Sequence, residues 1–416
     1  MLKREFYLNQ IRPLFNKNII KVLTGVRRSG KSVLLESIKE ELINNGVKEE
    51  NILLINFEFS EYFDLNNIKK LEEFINKNTQ NIEGKIYLLF DEIQEVENWE
   101  KLINSYHAKG NYDIYITGSN SHLLSGELAT YLSGRYIRIN IYPFSFKEFL
   151  EYYLLKNELD ENILNNDTLF YSLKKKLFMD YLTYGGLPIL LNLSKNEKLK
   201  YLKDIYSTIV LNDIISRYNV RDVDLLNRIL RYLLSNIGQL FNANNVSNYL
   251  NKNENKANIS INTVYNYLNY FESAYLVHKV RRYDLIGKSI LNRNEKYYIV
   301  DLGFRESLFG RNKGDISQTL ENIVYMELLR RGYNVNVGVF KDKEIDFVCR
   351  KNGKKIYVQV TYILSNESTI KREFSSLSKI EDNYPKYVVS MDEIDLSRDG
   401  IKHMNIIDFL LTDDLS

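Results

Sequence analysis

The sequence predicts an α/β protein: a parallel sheet covered by helices over the first ~145 residues, followed by a helical region and an α+β end. Three observations carry this. Short β-branched runs alternate with helical periodicity up to about residue 145. A glycine-containing loop joins the first such run to the first long helix. After residue 146 the pattern turns helical, and over the last ~100 residues it returns to strands.

In order, Asn18–Thr24 reads as the first strand and Lys31 to about Asn44 as a helix. Ile52–Phe57 is the second strand, Asn67–Asn76 a helix, Lys85–Phe90 the third strand and Asn98–His107 a helix. Ile114–Thr117 and Tyr136–Ile141 are the fourth and fifth strands. Residues 146 to about 221 read as helical, broken at Tyr184-Gly185-Gly186-Leu187-Pro188. A helix over Leu225–Leu240, a short one near Asn245–Leu250 and a third over Ile261–Ala274 precede strand-like runs at Leu276–Tyr283 and Lys296–Val300. A helix over about Thr319–Arg331 follows. A hairpin then pairs Glu344–Arg350 with Lys354–Thr361 across Asn352-Gly353. The expected divisions are an α/β core (1–145), a helical region (146–224), a helix-and-strand segment (225–310) and an α+β end (311–416).

Composition narrows the class. The chain of 416 residues is 44% hydrophobic and 26% charged, with net charge +2, as expected of a globular protein with several cores. One cysteine, Cys349, excludes an intrachain disulfide, and four scattered histidines (His107, His122, His278, His403) argue against a structural metal site. No apolar run approaches ~18 residues, and the first residues carry charge where a signal peptide needs an apolar stretch. The expectation is a cytoplasmic protein without a membrane partner. The 32 tyrosines make a surface tyrosine weak support for base stacking.

Gly25-Val26-Arg27-Arg28-Ser29-Gly30-Lys31-Ser32 matches G-x-x-x-x-G-K-S, with a strand before it and a helix opening at Lys31 and running on through Val33. Backbone N–H groups of such a loop curl around phosphate oxygens, and the helix N-terminus adds its positive dipole end. Lys31 would reach the β and γ phosphates of ATP, and Ser32 would be a Mg²⁺ ligand. The third strand ends in Asp91-Glu92. Asp91 would hold Mg²⁺ and Glu92 would polarise the attacking water. The fourth strand ends in Thr117-Gly118-Ser119-Asn120, where Ser119 or Asn120 is the candidate reporter of the γ-phosphate, the alternative being a plain turn.

With these motifs in place, the chain resembles the AAA-type P-loop ATPases. More narrowly, it resembles a prokaryotic family whose ATPase core precedes a C-terminal domain of unknown function. The P-loop, Phe90-Asp91-Glu92-Ile93-Gln94, Thr117-Gly118-Ser119, Leu132-Ser133-Gly134-Arg135 and Tyr184-Gly185-Gly186-Leu187-Pro188 carry the resemblance. It implies that Arg135 is an arginine finger or sensor, which requires a homo-oligomer if it acts in trans; the alternative is a surface ion pair. It also implies that Pro188 packs near the adenine, the alternative being a helix-breaking turn.

The order helix, short helix, helix, two strands is that of a winged helix. Val264, Tyr267, Leu268 and Phe271 form the inward stripe of its third helix. Asn262, Thr263, Asn266 and Asn269 then face outward, with Arg281 and Arg282 in the wing. This suits double-stranded DNA, and equally a lid or a protein-binding module. The C-terminal segment resembles the PD-(D/E)XK nuclease fold through Glu321, Asp346, Gln359 and Thr361. Active members carry a second carboxylate and a lysine where this chain has Gln359 and Thr361, unless a lysine such as Lys371 comes from elsewhere. Three readings of the whole chain stand: a DNA-coupled ATPase, a nucleotide-gated switch acting on a protein partner, and an ATP-regulated nuclease.

Overall fold

A computed structural model describes residues 2–119, 132–157, 160–253, 259–310, 313–341 and 343–415. The chain forms two compact units, one made of 1–143 with 273–275, the other of 144–272 and 276–416.

The first unit is built on five parallel strands: β1 (Ile20–Thr24), β2 (Ile52–Asn56), β3 (Ile86–Asp91), β4 (Tyr112–Gly118) and β5 (Tyr136–Asn140), in the order β2-β3-β4-β1-β5. Its helices are α1 (Glu5–Ile11), α2 (Lys31–Asn44), α3 (Ile68–Thr79) and α4 (Trp99–Lys109). Alternating side chains of each strand feed two cores. Leu88 and Phe90 of β3 join Leu71, Ile75, Leu102 and Ile103 of α3 and α4. Tyr87 and Leu89 join Leu8, Ile11, Leu34 and Ile38 of α1 and α2. Both faces are covered, which is why the strands read as continuous apolar runs.

A buried charge pair interrupts those runs. Lys21, in the middle of β1, is fully buried and pairs with the fully buried Asp113 of β4. Asp113 also accepts from the Asn16 N–H at 2.9 Å and the Tyr115 hydroxyl at 3.0 Å, and Lys21 also donates to the Lys17 carbonyl at 3.0 Å. The network ties the entry of β1 to β4, its neighbour in the sheet.

The second unit opens with helices α5 (Phe146–Lys156), α6 (Glu161–Leu164), α7 (Asp167–Tyr184) and α8 (Lys195–Thr208), the last continuing as π-helix to Ser216. Next come α9 (Val223–Ser235), α10 (Ala243–Asn253) and α11 (Ile261–Ser273). Contrary to the periodicity, α9 stops at Ser235 rather than Leu240. The Asn236 side chain caps the Tyr232 carbonyl at 2.8 Å, Gly238 has φ +71°, and Leu240–Phe241 becomes strand β6. An antiparallel pair follows, β7 (Val277–Asp284) and β8 (Ser289–Ile299), then α12 (Leu302–Phe309) and α13 (Ile316–Arg330). β9 (Asn334–Phe340), β10 (Lys343–Lys351), β11 (Lys354–Val360), α14 (Glu367–Ser378), β12 (Lys386–Ser390), β13 (Lys402–Asn405) and α15 (Ile406–Leu411) complete it. The β10–β11 turn is the expected one: Asn352 and Gly353 both have positive φ, 48° and 78°. All eight strands form one sheet, ordered β13-β12-β11-β10-β9-β7-β8-β6, because β7 pairs in parallel with β9. Residues 225–310 and 311–416 therefore share a single sheet.

The break after α7 is locked by a carboxylate. Asp301, at the N-cap of α12, accepts from the Gly186 N–H at 2.7 Å and the Gly303 N–H at 2.9 Å. Burial pushes its carboxyl up to about 6. A Cβ on Gly185 would sit 1.6 Å from Asp301 Oδ1, and φ there is +78°. Gly185→Ala thus introduces a clash and an unfavourable backbone together, and should destabilise the second unit by about 2–4 kcal/mol. Urea unfolding measures this, and a curve superimposing on wild type would contradict the lock.

Candidate active site

The strand order concentrates charge at one edge of the first sheet. β1 delivers the P-loop, β3 delivers Asp91, and β4, lying between them, delivers Thr117. The loop from Gly25 to Ser32 fits tightly against β5: a Cβ on Gly25 would meet the Ile141 carbonyl at 2.0 Å. Lys31, the first residue of α2, is 4% exposed. Its ammonium donates to the Gly25 and Val26 carbonyls at 3.1 and 3.3 Å and faces Glu92 Oε1 at 3.7 Å. Ser32 and Val33 are exposed on the first turn of α2, and Arg28, with φ +63°, is exposed at the loop tip.

Asp91 and Glu92 are buried. Thr117 joins them: its hydroxyl accepts from the Glu92 backbone N–H at 3.0 Å and donates to Asp91 Oδ1. Burial pushes the Asp91 carboxyl up, against the hydroxyls of Thr117 and Ser32, which lower it. Asp91 Oδ2 is buried and has no hydrogen-bond partner among the described residues. Burial also acts upward on Glu92, but the Lys31 charge, the Gln94 amide at 2.5 Å, the Arg27 charge and the Ser119 backbone outweigh it, holding the carboxyl below its usual range. Glu92 has φ 54° and ψ 48°, a left-handed conformation that costs free energy in a non-glycine residue. Strain of this kind concentrates at functional positions.

Lys31, Asp91, Glu92 and Ser119 are thus brought together, with Ser119 buried just past β4. Asn120 lies outside the described residues. Arg135 is exposed at the start of β5 and hydrogen-bonds Asn104. Pro188 falls in the second unit, where it opens a 3-10 helix after the Gly185-Gly186 lock. Two residues were missed by sequence reasoning. The role of Thr117 is signalled only by a hydroxyl at a strand end. Arg4 carries no sequence signal: its buried guanidinium donates to the Ser29 and Tyr142 carbonyls, both at 2.9 Å, and stacks 4.5 Å from the Tyr7 ring centroid. It clamps the back of the P-loop onto the chain leaving β5.

In the second unit, Glu321 of α13, Asp346 of β10 and Gln359 of β11 also converge. Asp346 accepts from the Val360 N–H at 2.8 Å, the Gln359 amide oxygen accepts from the Asp346 N–H at 3.3 Å, and the Gln359 amide donates to Glu373 at 3.1 Å. Thr361, just past β11, lines the adjoining cleft of about 430 Å³ with Lys343, Glu344 and Arg372. The lysine here is not Lys371, which is exposed on α14. It is Lys296 of β8, 2.9 Å from Glu321 and 2.7 Å from Glu344.

The bridging role of Thr117 has a measurable consequence. A hydrogen bond to a charged group contributes about 1.5–3 kcal/mol, so Thr117→Val should lower turnover by roughly ten- to a hundredfold. Thr117→Ser, which keeps the hydroxyl, should stay close to wild type. Equal rates in the valine and serine variants would show that the hydroxyl does not organise the site.

Comparison with known proteins agrees with this geometry. Residues 17–150 match the family described as an AAA domain, residues 175–315 the domain of unknown function DUF8612, and residues 317–409 the domain of unknown function DUF4143. An uncharacterized protein of Haemophilus influenzae is 41% identical over 412 residues, covering 99% of both chains. Uncharacterized protein MJ1544 of Methanocaldococcus jannaschii is 34% identical over 403 residues, covering 94% of this chain and 85% of its own. Among solved structures, the ORC2 protein of Aeropyrum pernix in ADPNP-ADP complexes aligns with 77% of this chain and 91% of its own, at 12% identity and a TM-score of 0.38; a likeness of that size carries no functional weight. The chain belongs to the same family as the Haemophilus and Methanocaldococcus proteins, and its first unit is an AAA-type P-loop domain.

Proposed function

We propose that this chain is a magnesium-dependent ATP hydrolase whose nucleotide state controls double-stranded DNA binding by the segments after residue 224. One observation carries the ATPase reading: Lys31, Asp91, Glu92 and the Thr117 hydroxyl converge at the ends of three adjacent parallel strands. Lys31 neutralises the β and γ phosphates, and the backbone N–H groups between Gly25 and Ser32 cradle them. Glu92, held ionised, orients water for attack on the γ-phosphate. Ser119 reports on that phosphate from the end of β4. Ser32 and the unpartnered Oδ2 of Asp91 are hard oxygen donors that suit Mg²⁺. When bound, the ion would neutralise phosphate charge. Arg135, exposed, supplies a finger to a neighbouring copy.

The DNA half rests on α9, α10, α11 and the β7–β8 pair, whose order fits a winged helix. Val264, Tyr267, Leu268 and Phe271 of α11 are buried, while Asn262, Asn266 and Asn269 are exposed, as is Arg281 on β7. Amides of this kind contact base edges, and arginine contacts phosphate. The Glu321, Asp346, Gln359 and Thr361 set fits a nuclease-like core retained for binding. No helix among the described residues is long and apolar enough to cross a membrane.

Steady-state ATP hydrolysis with and without double-stranded DNA tests the proposal. DNA should raise the rate several-fold. Glu92→Gln should retain ATP but hydrolyse it at least about a hundredfold more slowly, because the charge that orients water is gone. A slow rate indifferent to DNA would move the reading to a nucleotide-gated switch with a protein partner.

A further inference from the structure

The carboxylates of the second unit contain a cation of their own. Lys296 is 4% exposed, and its ammonium contacts Glu321 at 2.9 Å and Glu344 at 2.7 Å. Asp346, also buried, acts on the same charge. Glu321 is further held by the Tyr298 hydroxyl at 2.5 Å. These side chains come from three directions: β8, α13 and β10. The charge balance is local, since the ammonium sits between the Glu321 and Glu344 carboxylates.

A divalent ion shared by Glu321 and Asp346 would stand beside that ammonium, paying like-charge repulsion in a medium that screens poorly. It would also have to break two short ion pairs to gain its oxygens. Among the described residues, no three His, Cys, Asp or Glu side chains are placed to hold a metal ion together. Gln359, where a further carboxylate would complete a metal clamp, turns its amide to Glu373 and its oxygen to the Asp346 N–H.

We infer that the Lys296 ammonium is the resident cation of this cluster, a built-in replacement for a divalent metal, and that without it Glu321, Asp346 and Glu344 can close on a divalent ion in its place. The strand hairpin that carries Lys296 is thereby fastened to α13 and β10 by charge as well as by the shared sheet.

Manganese titration of the nucleotide-free, full-length protein, followed by electron paramagnetic resonance, tests this. Manganese bound near Asp91 contributes equally to all variants and cancels. Wild type and Asp346→Asn should bind the same number of ions. Lys296→Met should gain one further equivalent, lost again in Lys296→Met/Asp346→Asn, and manganese should raise its melting temperature but not that of wild type. Lys296→Arg, which keeps the charge, should gain none. A wild-type ion lost on Asp346→Asn would overturn the inference, as would a folded Lys296→Met that binds no additional ion. Should Lys296→Met fail to fold, Lys296→Gln takes its place.

Discussion

Three charges buried beside the C-terminal ends of β1 and β3 constrain the first unit more than any other feature. Lys31, Asp91 and Glu92 are each less than a tenth exposed. An unpaired buried ion costs several kcal/mol, so such a cluster survives only where every member is held. Lys31 is held by two P-loop carbonyls and by Glu92. Thr117 holds the Asp91 carboxylate and the Glu92 backbone in register, and it can do so only because β4 lies between β1 and β3. The left-handed turn at Glu92 aims that side chain back at the loop, and Arg4 fixes the loop from behind. Among the described residues Asp91 Oδ2 alone of its two oxygens is left without a hydrogen-bond partner.

The second unit meets the same constraint with different solutions. Asp301 is buried between backbone N–H groups and requires a glycine at 185 to approach. Arg305, 2% exposed, is shared by Glu306, Asp315 and the Leu234 carbonyl. Lys296 is shared by two carboxylates. Each of these ties together elements distant in sequence, α7 to α12, α9 to α12, and β8 to α13. Buried ion pairs of this type add little net stability, but breaking one is costly, so they penalise alternative packings.

The sequence made much of this legible where the signal is local. The P-loop, the Asp91-Glu92 pair, the alternation of strands and helices, and the Asn352-Gly353 turn all depend on neighbouring residues. The inward stripe at Val264, Tyr267, Leu268 and Phe271 was equally readable, since helical periodicity needs no partner. What stayed hidden depends on distant contacts. Lys296 sits in an apolar strand run, and nothing nearby says which carboxylates, 25 and 48 residues away, will receive it. Asp301 meets Gly186 across 115 positions. The end of α9 was misplaced because Ile237 and Leu240 extend its apolar pattern, whereas a side-chain cap at Asn236 stops it. The pairing of β7 with β9 joins segments that composition alone divides.

The most direct test of the account is the affinity for Mg·ATP of wild type and of Lys31→Ala, measured by fluorescence titration on otherwise identical protein. The account predicts binding by wild type and a loss of at least about a hundredfold in the variant, some 2.7 kcal/mol, because the buried ammonium at the P-loop is the main charge partner of the phosphates. Equal affinity in the two proteins would contradict it, and would place the nucleotide somewhere other than the ends of β1, β3 and β4.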